Sequence, residues 1–137
     1  MEIVKQMNVP AEFFYKKIID SVMYDVQEAT GQTLKEKQLI GFEYIKKFNE
    51  KTSAKIKIEE LITDQLYIYR TSTTRNDFTA TYQIRSIDEK SCEIQYVEKM
   101  DSHGMIQSLN DMVTGVLLSF FKKRQFKQML AMIEQSY

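Results

Sequence analysis

The sequence is poor in the features that mark several classes of protein. Cys92 is the only cysteine, so no disulfide forms within the chain, and one proline with four glycines leaves little material for flexible linkers. The 19 basic and 19 acidic side chains give a net charge of zero. Because nucleic-acid binders draw most of their affinity from neutralising phosphates, this balance argues against a nucleic-acid partner.

Long apolar runs are also missing. Residues 1–6 do not form the apolar core of a signal peptide, and the longest mostly apolar run, 113–121, is too short to cross a bilayer. Together with the lone cysteine, these absences predict a cytoplasmic protein. The 137 residues, 43% of them apolar, fit one domain that spans residues 1–137 and buries a hydrophobic core.

The first part of the chain predicts a strand followed by two helices. Pro10 suits the first turn of the first helix, and Gly31 ends that helix as a C-cap. Thr33 and Glu36 match a capping box for a brief second helix that ends near Gly41. The apolar residues at strand and helix spacing are Ile3, Met7 and Val9 in the strand (2–9), and Phe14, Ile18, Val22, Val26 and Ala29 in the first helix.

Period-two alternation continues through five segments between residues 42 and 100, which indicates strands. Their connections are short and polar, and short connections make neighbouring strands antiparallel, because parallel strands need a long crossover. The segments therefore predict a five-strand meander, to which the N-terminal strand adds a sixth. The residues expected on the apolar faces are Phe42, Tyr44 and Phe48, then Ala54, Ile56, Ile58 and Ile62, then Phe78, Ala80, Tyr82 and Ile84, then Cys92, Ile94, Tyr96 and Met100.

Residues 105–136 predict one long C-terminal helix. Each strand has one apolar face that needs cover, and this helix is the only long element left to cover it. The predicted fold class is α+β, with a curved antiparallel sheet of about six strands on the long helix and two shorter helices after the first strand. The apolar stripe of the long helix holds Leu109, Met112, Val113, Val116, Phe120, Leu130 and Ile133.

Two short segments and the order of the elements carry a resemblance to a known superfamily. Residues 7–14 read MNVPAEFF, a strand-to-helix start, and residues 24–31 with Gly41 and Phe42 form a second characteristic segment. These features resemble the START-like (SRPBCC, helix-grip) superfamily over essentially the whole chain, and an uncharacterised bacterial branch of it in particular. The resemblance implies a sheet curled around the long helix, with a cavity between them that often holds an apolar small molecule.

The strand faces and the final helix supply a candidate ligand site. Tyr44, Tyr82 and Tyr96 fall on the apolar faces of three strands, where tyrosine rings can line a cavity and their hydroxyls can orient a ligand. The alternative is ordinary sheet core, because tyrosine is enriched in strands. Glu98 continues the face of Tyr96, either as a polar anchor or as a strand-end residue in water. The predicted ligand-binding residues are Tyr44, Tyr82, Tyr96, Glu98, Met112, Val116 and Phe120.

The sequence assigns no residue to catalysis or to a metal. His103 is the only histidine and lacks the company of cysteines or clustered carboxylates, so it is interpreted as a loop residue. Cys92 lies on an apolar strand face and is predicted to be a buried, inert thiol. Glycine-rich phosphate loops, paired cysteines and nucleophile elbows are absent from the sequence, which favours a non-enzyme without a cofactor.

Three hypotheses for function follow. The leading one is that an apolar or amphipathic small molecule, such as a lipid, binds between the sheet and the C-terminal helix. The second is a protein–protein interaction module with a protein partner or a second copy, which predicts a large exposed apolar patch. The third is a small hydrolase or cyclase that uses Glu98, or Glu60 on the same face as Ile56 and Ile58, together with a tyrosine.

Overall fold

The computed structural model describes residues 1–47, 50, 53–74, 76–102 and 109–137, and their side chains except those of 102 and 109–121. In chain order the elements are β1 (Glu2–Met7), α1 (Ala11–Thr30), α2 (Glu36–Leu39), β2 (Glu43–Lys47), β3 (Ser53–Ile62), β4 (Leu66–Ser72), β5 (Asn76–Asp88), β6 (Ser91–Ser102) and α3 (Leu109–Gln135). No helix in these ranges combines the length and the apolar character that crossing a membrane requires.

All six strands form one antiparallel sheet in the order β1-β6-β5-β4-β3-β2. The five strands from β2 to β6 form the predicted meander, and β1 joins it by pairing with β6, so that Ile3 lies opposite Tyr96 and Met7 opposite Cys92. The α+β architecture of a curved sheet with a long C-terminal helix is thereby confirmed. The meander places β1 and β2 at the two edges of the sheet.

The core lies on the sheet face that α1 and α3 cover. Alternation predicts this face correctly in β1, β5 and β6, whose buried residues include Ile3, Met7, Ala80, Tyr82, Ile84, Cys92, Ile94 and Tyr96. Apart from Ile62 in β3, two apolar residues expected to be inside are exposed: Ala29, in the last turn of α1, and Met100, which is 53% exposed near the end of β6. Both lie close to the end of their element. Phe48 lies outside the described residues.

A β-bulge corrects the predicted face of β3. The pairing of β3 with β4 shifts register between Ile58 and Glu60. Because one extra residue in a strand inverts the alternation beyond it, Leu61 points inward and is 8% exposed, whereas Ile62 points outward and is 45% exposed. The prediction that Glu60 and Ile62 share the face of Ile58 was therefore wrong, and Glu60 is exposed to solvent.

Of the two helix caps predicted from the sequence, the structure confirms one and corrects the other. Gly31 adopts the left-handed conformation (φ 73°), and its N–H donates to the Gln27 carbonyl at 2.8 Å, which confirms the predicted C-cap of α1. The cap predicted at Thr33 was wrong, because α2 begins at Glu36 after Lys35. The N–H of Lys35 donates to Gln38 Oε1 at 2.9 Å, so the glutamine side chain closes this single turn.

Leu130 is the most deeply buried side chain described in α3, with 0% of its surface exposed. We expect Leu130→Ala to lower the free energy of unfolding by about 2–5 kcal/mol, because truncation leaves a cavity where α3 meets the sheet. Met132, two residues on, is 70% exposed, and Met132→Ala should change stability by less than about 0.5 kcal/mol. Urea denaturation of both variants tests this pair, and equal losses would contradict the placement of Leu130.

Candidate functional site

A cleft of about 210 Å³ opens between the inner face of β4–β6 and the second half of α3. Tyr69 in β4, Ala80 in β5 and Glu98 in β6 pair across the three strands, so their side chains form one row across the sheet. Thr71 and Phe78 form the next row. The complete lining consists of Tyr69, Thr71, Thr73, Phe78, Ala80, Glu98 and Lys122.

The cleft lies where the inward faces of the strands carry a small residue. Ala80 is only 2% exposed, yet its methyl group fills little of the space between the longer side chains of Tyr69 and Glu98. Two residues further along β5, the same face carries the ring of Tyr82, which packs against Phe126 of α3 with 5.8 Å between the ring centroids. The change from tyrosine to alanine along one strand face therefore places the opening beside Ala80.

Glu98 is the polar centre of the cleft. Its Oε2 accepts a hydrogen bond from the Tyr96 hydroxyl at 2.7 Å, and its Oε1 lies 3.3 Å from Lys122 Nζ. The same ammonium lies 4.8 Å from the centroid of the Phe78 ring, within the range of a cation–π interaction. The Glu98 side chain is 18% exposed and that of Lys122 is 50% exposed. The arrangement can bind the polar end of a ligand by charge and by hydrogen bonds.

An aromatic cluster borders this polar centre. Tyr82 lies 5.7 Å from Tyr67 and 4.8 Å from Tyr96 between ring centroids, and Tyr96 stacks on Phe126 at 4.1 Å. Burial is the main cause that raises the pKa of each of the three tyrosines, so their hydroxyls resist ionisation more than a phenol in water does. Burial also raises the pKa of Tyr69, and its interaction with the Tyr96 side chain offsets part of this rise. The cluster forms a buried aromatic wall beside the cleft, and the Tyr96 hydroxyl joins it to Glu98.

The chain matches the family model described as "Domain of unknown function (DUF3284)" over residues 1–119. It belongs to the DUF3284 family. The match covers all six strands, both short helices and the start of α3. No curated protein matches the DUF3284 chain.

Solved structures show that this DUF3284 member has the START-like fold predicted from its sequence. A START superfamily protein from Mycobacterium smegmatis aligns with a TM-score of 0.65 and 9% identity, over 100% of this chain and 98% of the other. The aromatase/cyclase ZhuI from Streptomyces sp. R1128 aligns with a TM-score of 0.63 and 11% identity, over 98% and 93%. Ara h 8.0201 aligns with a TM-score of 0.63 and 14% identity, over 99% and 95%. At these identities the likeness establishes the fold alone.

The structure places the predicted ligand residues of the DUF3284 chain in different surroundings. Glu98 lines the cleft, and Tyr96 contacts the cleft through its hydrogen bond to Glu98. Tyr82 lies inside the aromatic cluster, and Tyr44 on edge strand β2 stacks on Phe42 at 6.3 Å. The other predicted residues are on α3, where side chains 109–121 lie outside the description: Met112, Val116 and Phe120. His103 also lies outside the described residues.

Sequence reasoning missed several residues that line the cleft. Tyr69 and Thr71 belong to β4, whose faces the sequence analysis left unassigned. They follow Tyr67 at intervals of two residues, and this spacing places all three on the same face. Phe78 was expected on the inward face but not in a site. Lys122 begins the basic run 122–124, which carries no pattern that marks a ligand site. Its contact with Glu98 joins residues 24 positions apart, and no local signal in the sequence indicates it.

Other side chains bear on the remaining hypotheses. Cys92 is buried as predicted, and burial, with a smaller effect from Glu134, raises the pKa of its thiol to about 11, so it is a poor nucleophile at neutral pH. Within the described residues, no group of three His, Cys, Asp or Glu side chains could hold a metal ion.

The outer face of the sheet carries apolar residues that polar ones separate. Ile62 pairs with Leu66, which pairs with Gln83, then Gln95 and finally Val4, so this row crosses five strands. Ile62 and Val4 are 45% and 57% exposed, but two glutamines lie between Leu66 and Val4. This row therefore lacks the continuous apolar surface that the interaction-module hypothesis predicts. The structure leaves that hypothesis untested.

Proposed function

We propose that the chain binds an apolar or amphipathic small molecule in the cleft between β4–β6 and α3. The observation that carries the proposal is the chemistry of the lining: two aromatic rings and a methyl group beside two threonine hydroxyls and one ion pair. Ligand sites combine mostly apolar walls with a few polar groups that fix orientation. The START-like fold, in which α3 covers a curved sheet, supports the same location.

The size of the cleft limits what it can hold. Its volume of about 210 Å³ lies below the roughly 300–1,000 Å³ that is usual for sites of drug-sized ligands. A small ligand, or one end of a longer molecule, fits this space. Phe78 and Tyr69 supply faces for an apolar body, and the Glu98–Lys122 pair supplies a polar end.

Filling the cleft tests the proposal. Ala80→Leu places a larger side chain among Tyr69, Phe78 and Glu98, and we expect it to weaken binding of the neutral apolar probe N-phenyl-1-naphthylamine at least about tenfold, a loss of about 1.4 kcal/mol. Fluorescence titration measures the affinity. Because the added atoms enter open space, stability should change by less than the roughly 1–3 kcal/mol that overpacking a filled core costs.

Two further variants keep this test decisive. Thr79→Leu adds a leucine to the outer face of the same strand, where Thr79 pairs with Arg70 and Lys99, and it should leave probe affinity unchanged. Thr71→Leu narrows the cleft from β4 and should reproduce the effect of Ala80→Leu even if that variant folds poorly. Unchanged probe binding in a folded Ala80→Leu or Thr71→Leu protein, or no binding by the unmodified chain, would refute the proposal.

A further inference from the structure

The ammonium group of Lys122 occupies a position that suits any small organic cation. It lies 3.3 Å from Glu98 Oε1 and 4.8 Å from the centroid of the Phe78 ring. A carboxylate together with an aromatic face is a combination that attracts ammonium groups, since the carboxylate supplies charge and the ring face supplies its quadrupole. The cleft therefore contains a cation site that the chain's own lysine fills.

Glu98 is the fixed partner in this ion pair. Its other oxygen, Oε2, is held by the Tyr96 hydroxyl at 2.7 Å, and Tyr96 is in turn packed against Phe126 at 4.1 Å. The carboxylate lies on a central strand, between β1 and β5, and its side chain is only 18% exposed. Its position and orientation are thus set before any ligand arrives.

Lys122 is the exchangeable partner. Its side chain is 50% exposed and has a flexible four-carbon stem. The 3.3 Å contact is longer than the roughly 2.7–2.9 Å of a strong charge-assisted hydrogen bond. Ion pairs with such exposure add little to stability, because water solvates the released ammonium well. The lysine can therefore turn into solvent when another cation takes its place.

We infer that the ligand of the proposed cleft carries an ammonium group, which replaces Lys122 Nζ between Glu98 and Phe78 while its apolar body lies along Tyr69. This inference rests on the proposed function and specifies its ligand. With an ammonium ligand the cleft stays neutral, since Lys122 moves into water. An anionic end group would instead leave two negative charges close together in a partly desolvated site, which is unfavourable.

A matched set of ligands tests the inference. Octylamine, octanol and octanoate share one apolar chain and differ in end group, and isothermal titration calorimetry at pH 7 on the full chain gives their affinities. We expect the amine, which is cationic at this pH, to bind about tenfold more tightly than the alcohol, because it gains a charged hydrogen bond. Octanoate should bind more weakly than the alcohol.

Variants assign the effect to its residues. Glu98→Gln should abolish the preference for the amine over the alcohol, because the amide keeps the shape and hydrogen-bonding capacity of the carboxylate and removes its charge. Lys122→Met keeps the apolar stem and removes the competing ammonium, so it should raise the affinity for octylamine up to about fivefold. Lys123→Met, at the neighbouring position, is the matched control and should change nothing. Phe78→Leu removes the ring face and should lower the amine preference several-fold, which keeps the test informative if Glu98→Gln fails to fold.

The possible results separate the two proposals. Binding of octanol without a preference for octylamine overturns the cation inference and leaves the proposed function standing. Tighter binding of octanoate that Lys122→Met abolishes also overturns it, since Lys122 would then bind an anion. If none of the three amphiphiles binds, the proposed function fails and the inference fails with it.

Discussion

Raising the pH above 10 is expected to unfold the protein steeply, because buried tyrosines must stay neutral in the folded state. Burial is the largest cause that raises the pKa of Tyr44, Tyr67, Tyr82 and Tyr96. In the unfolded chain these phenols ionise near pH 10. Above about pH 10 the phenols of the unfolded chain ionise, and this ionisation stabilises the unfolded state alone. The stability that comes from the raised pKa values in the folded state is therefore fully present below about pH 10 and is lost as the pH rises further.

The expected magnitude is large compared with the stability of an ordinary domain. Each such tyrosine lowers the free energy of unfolding by about 1.4 kcal/mol at pH 11, so the four together lower it by roughly 6 kcal/mol. Domains of this size are stable by about 5–15 kcal/mol in total. The Tyr82 ring lies 5.7 Å from that of Tyr67 and 4.8 Å from that of Tyr96 between centroids, and a charge on Tyr82 would raise the pKa of both neighbours further.

Urea denaturation at pH 7, 9, 10 and 11 measures this loss, and absorbance at 295 nm reports phenolate formation. Phenolates of Tyr44, Tyr67, Tyr82 and Tyr96 should form only as the circular dichroism signal of the sheet disappears. Tyr82→Phe should reduce the fall in the free energy of unfolding between pH 9 and 11 by about 1.4 kcal/mol, which is the contribution of one phenol. Ionisation of all eight tyrosines in a chain that keeps its native spectrum would show that the cluster is not sealed from water.

Phe14→Ala is expected to lower the free energy of unfolding by about 3–5 kcal/mol, the usual cost of removing a phenylalanine from a filled core. Phe14 is 0% exposed, and its ring lies 6.4 Å from that of Tyr82. It therefore joins α1 to the same aromatic cluster that α3 contacts through Phe126. The truncation removes the contacts of a fully buried ring, and the backbone of α1 cannot collapse into the space.

The neighbouring phenylalanine is a matched control. Phe13 is partly buried and meets the terminal Tyr137 edge to face at 4.7 Å. Because Tyr137 is itself 64% exposed, Phe13→Ala should cost only about 1 kcal/mol, close to the value of one aromatic pair. Urea denaturation with a common slope compares the two variants. Similar losses at both positions would contradict the orientation of α1 on the sheet.

The sequence by itself determined the order of the elements and most of the inner faces. Period-two alternation assigns Ala80, Tyr82 and Ile84 to one face of β5, and short connections make β5 antiparallel to its neighbours. The exact pairing register came from the structure. It also placed Glu98 on the face of Tyr96, because the two residues are two positions apart in one strand. Local periodicity is sufficient for such features, since each depends on residues close together in the chain.

Only the tertiary structure decided where a strand exchanges its inward and outward residues, and which residues far apart in the chain come into contact. The bulge between Ile58 and Glu60 leaves the sequence pattern intact, yet it exchanges the roles of Leu61 and Ile62. The contact of Lys122 with Glu98 depends on how α3 crosses the sheet, and that crossing is set by the packing of buried side chains such as Leu130 in the core. The cleft beside Ala80 follows from the same packing, because a helix cannot fill the space that a small residue leaves between larger ones.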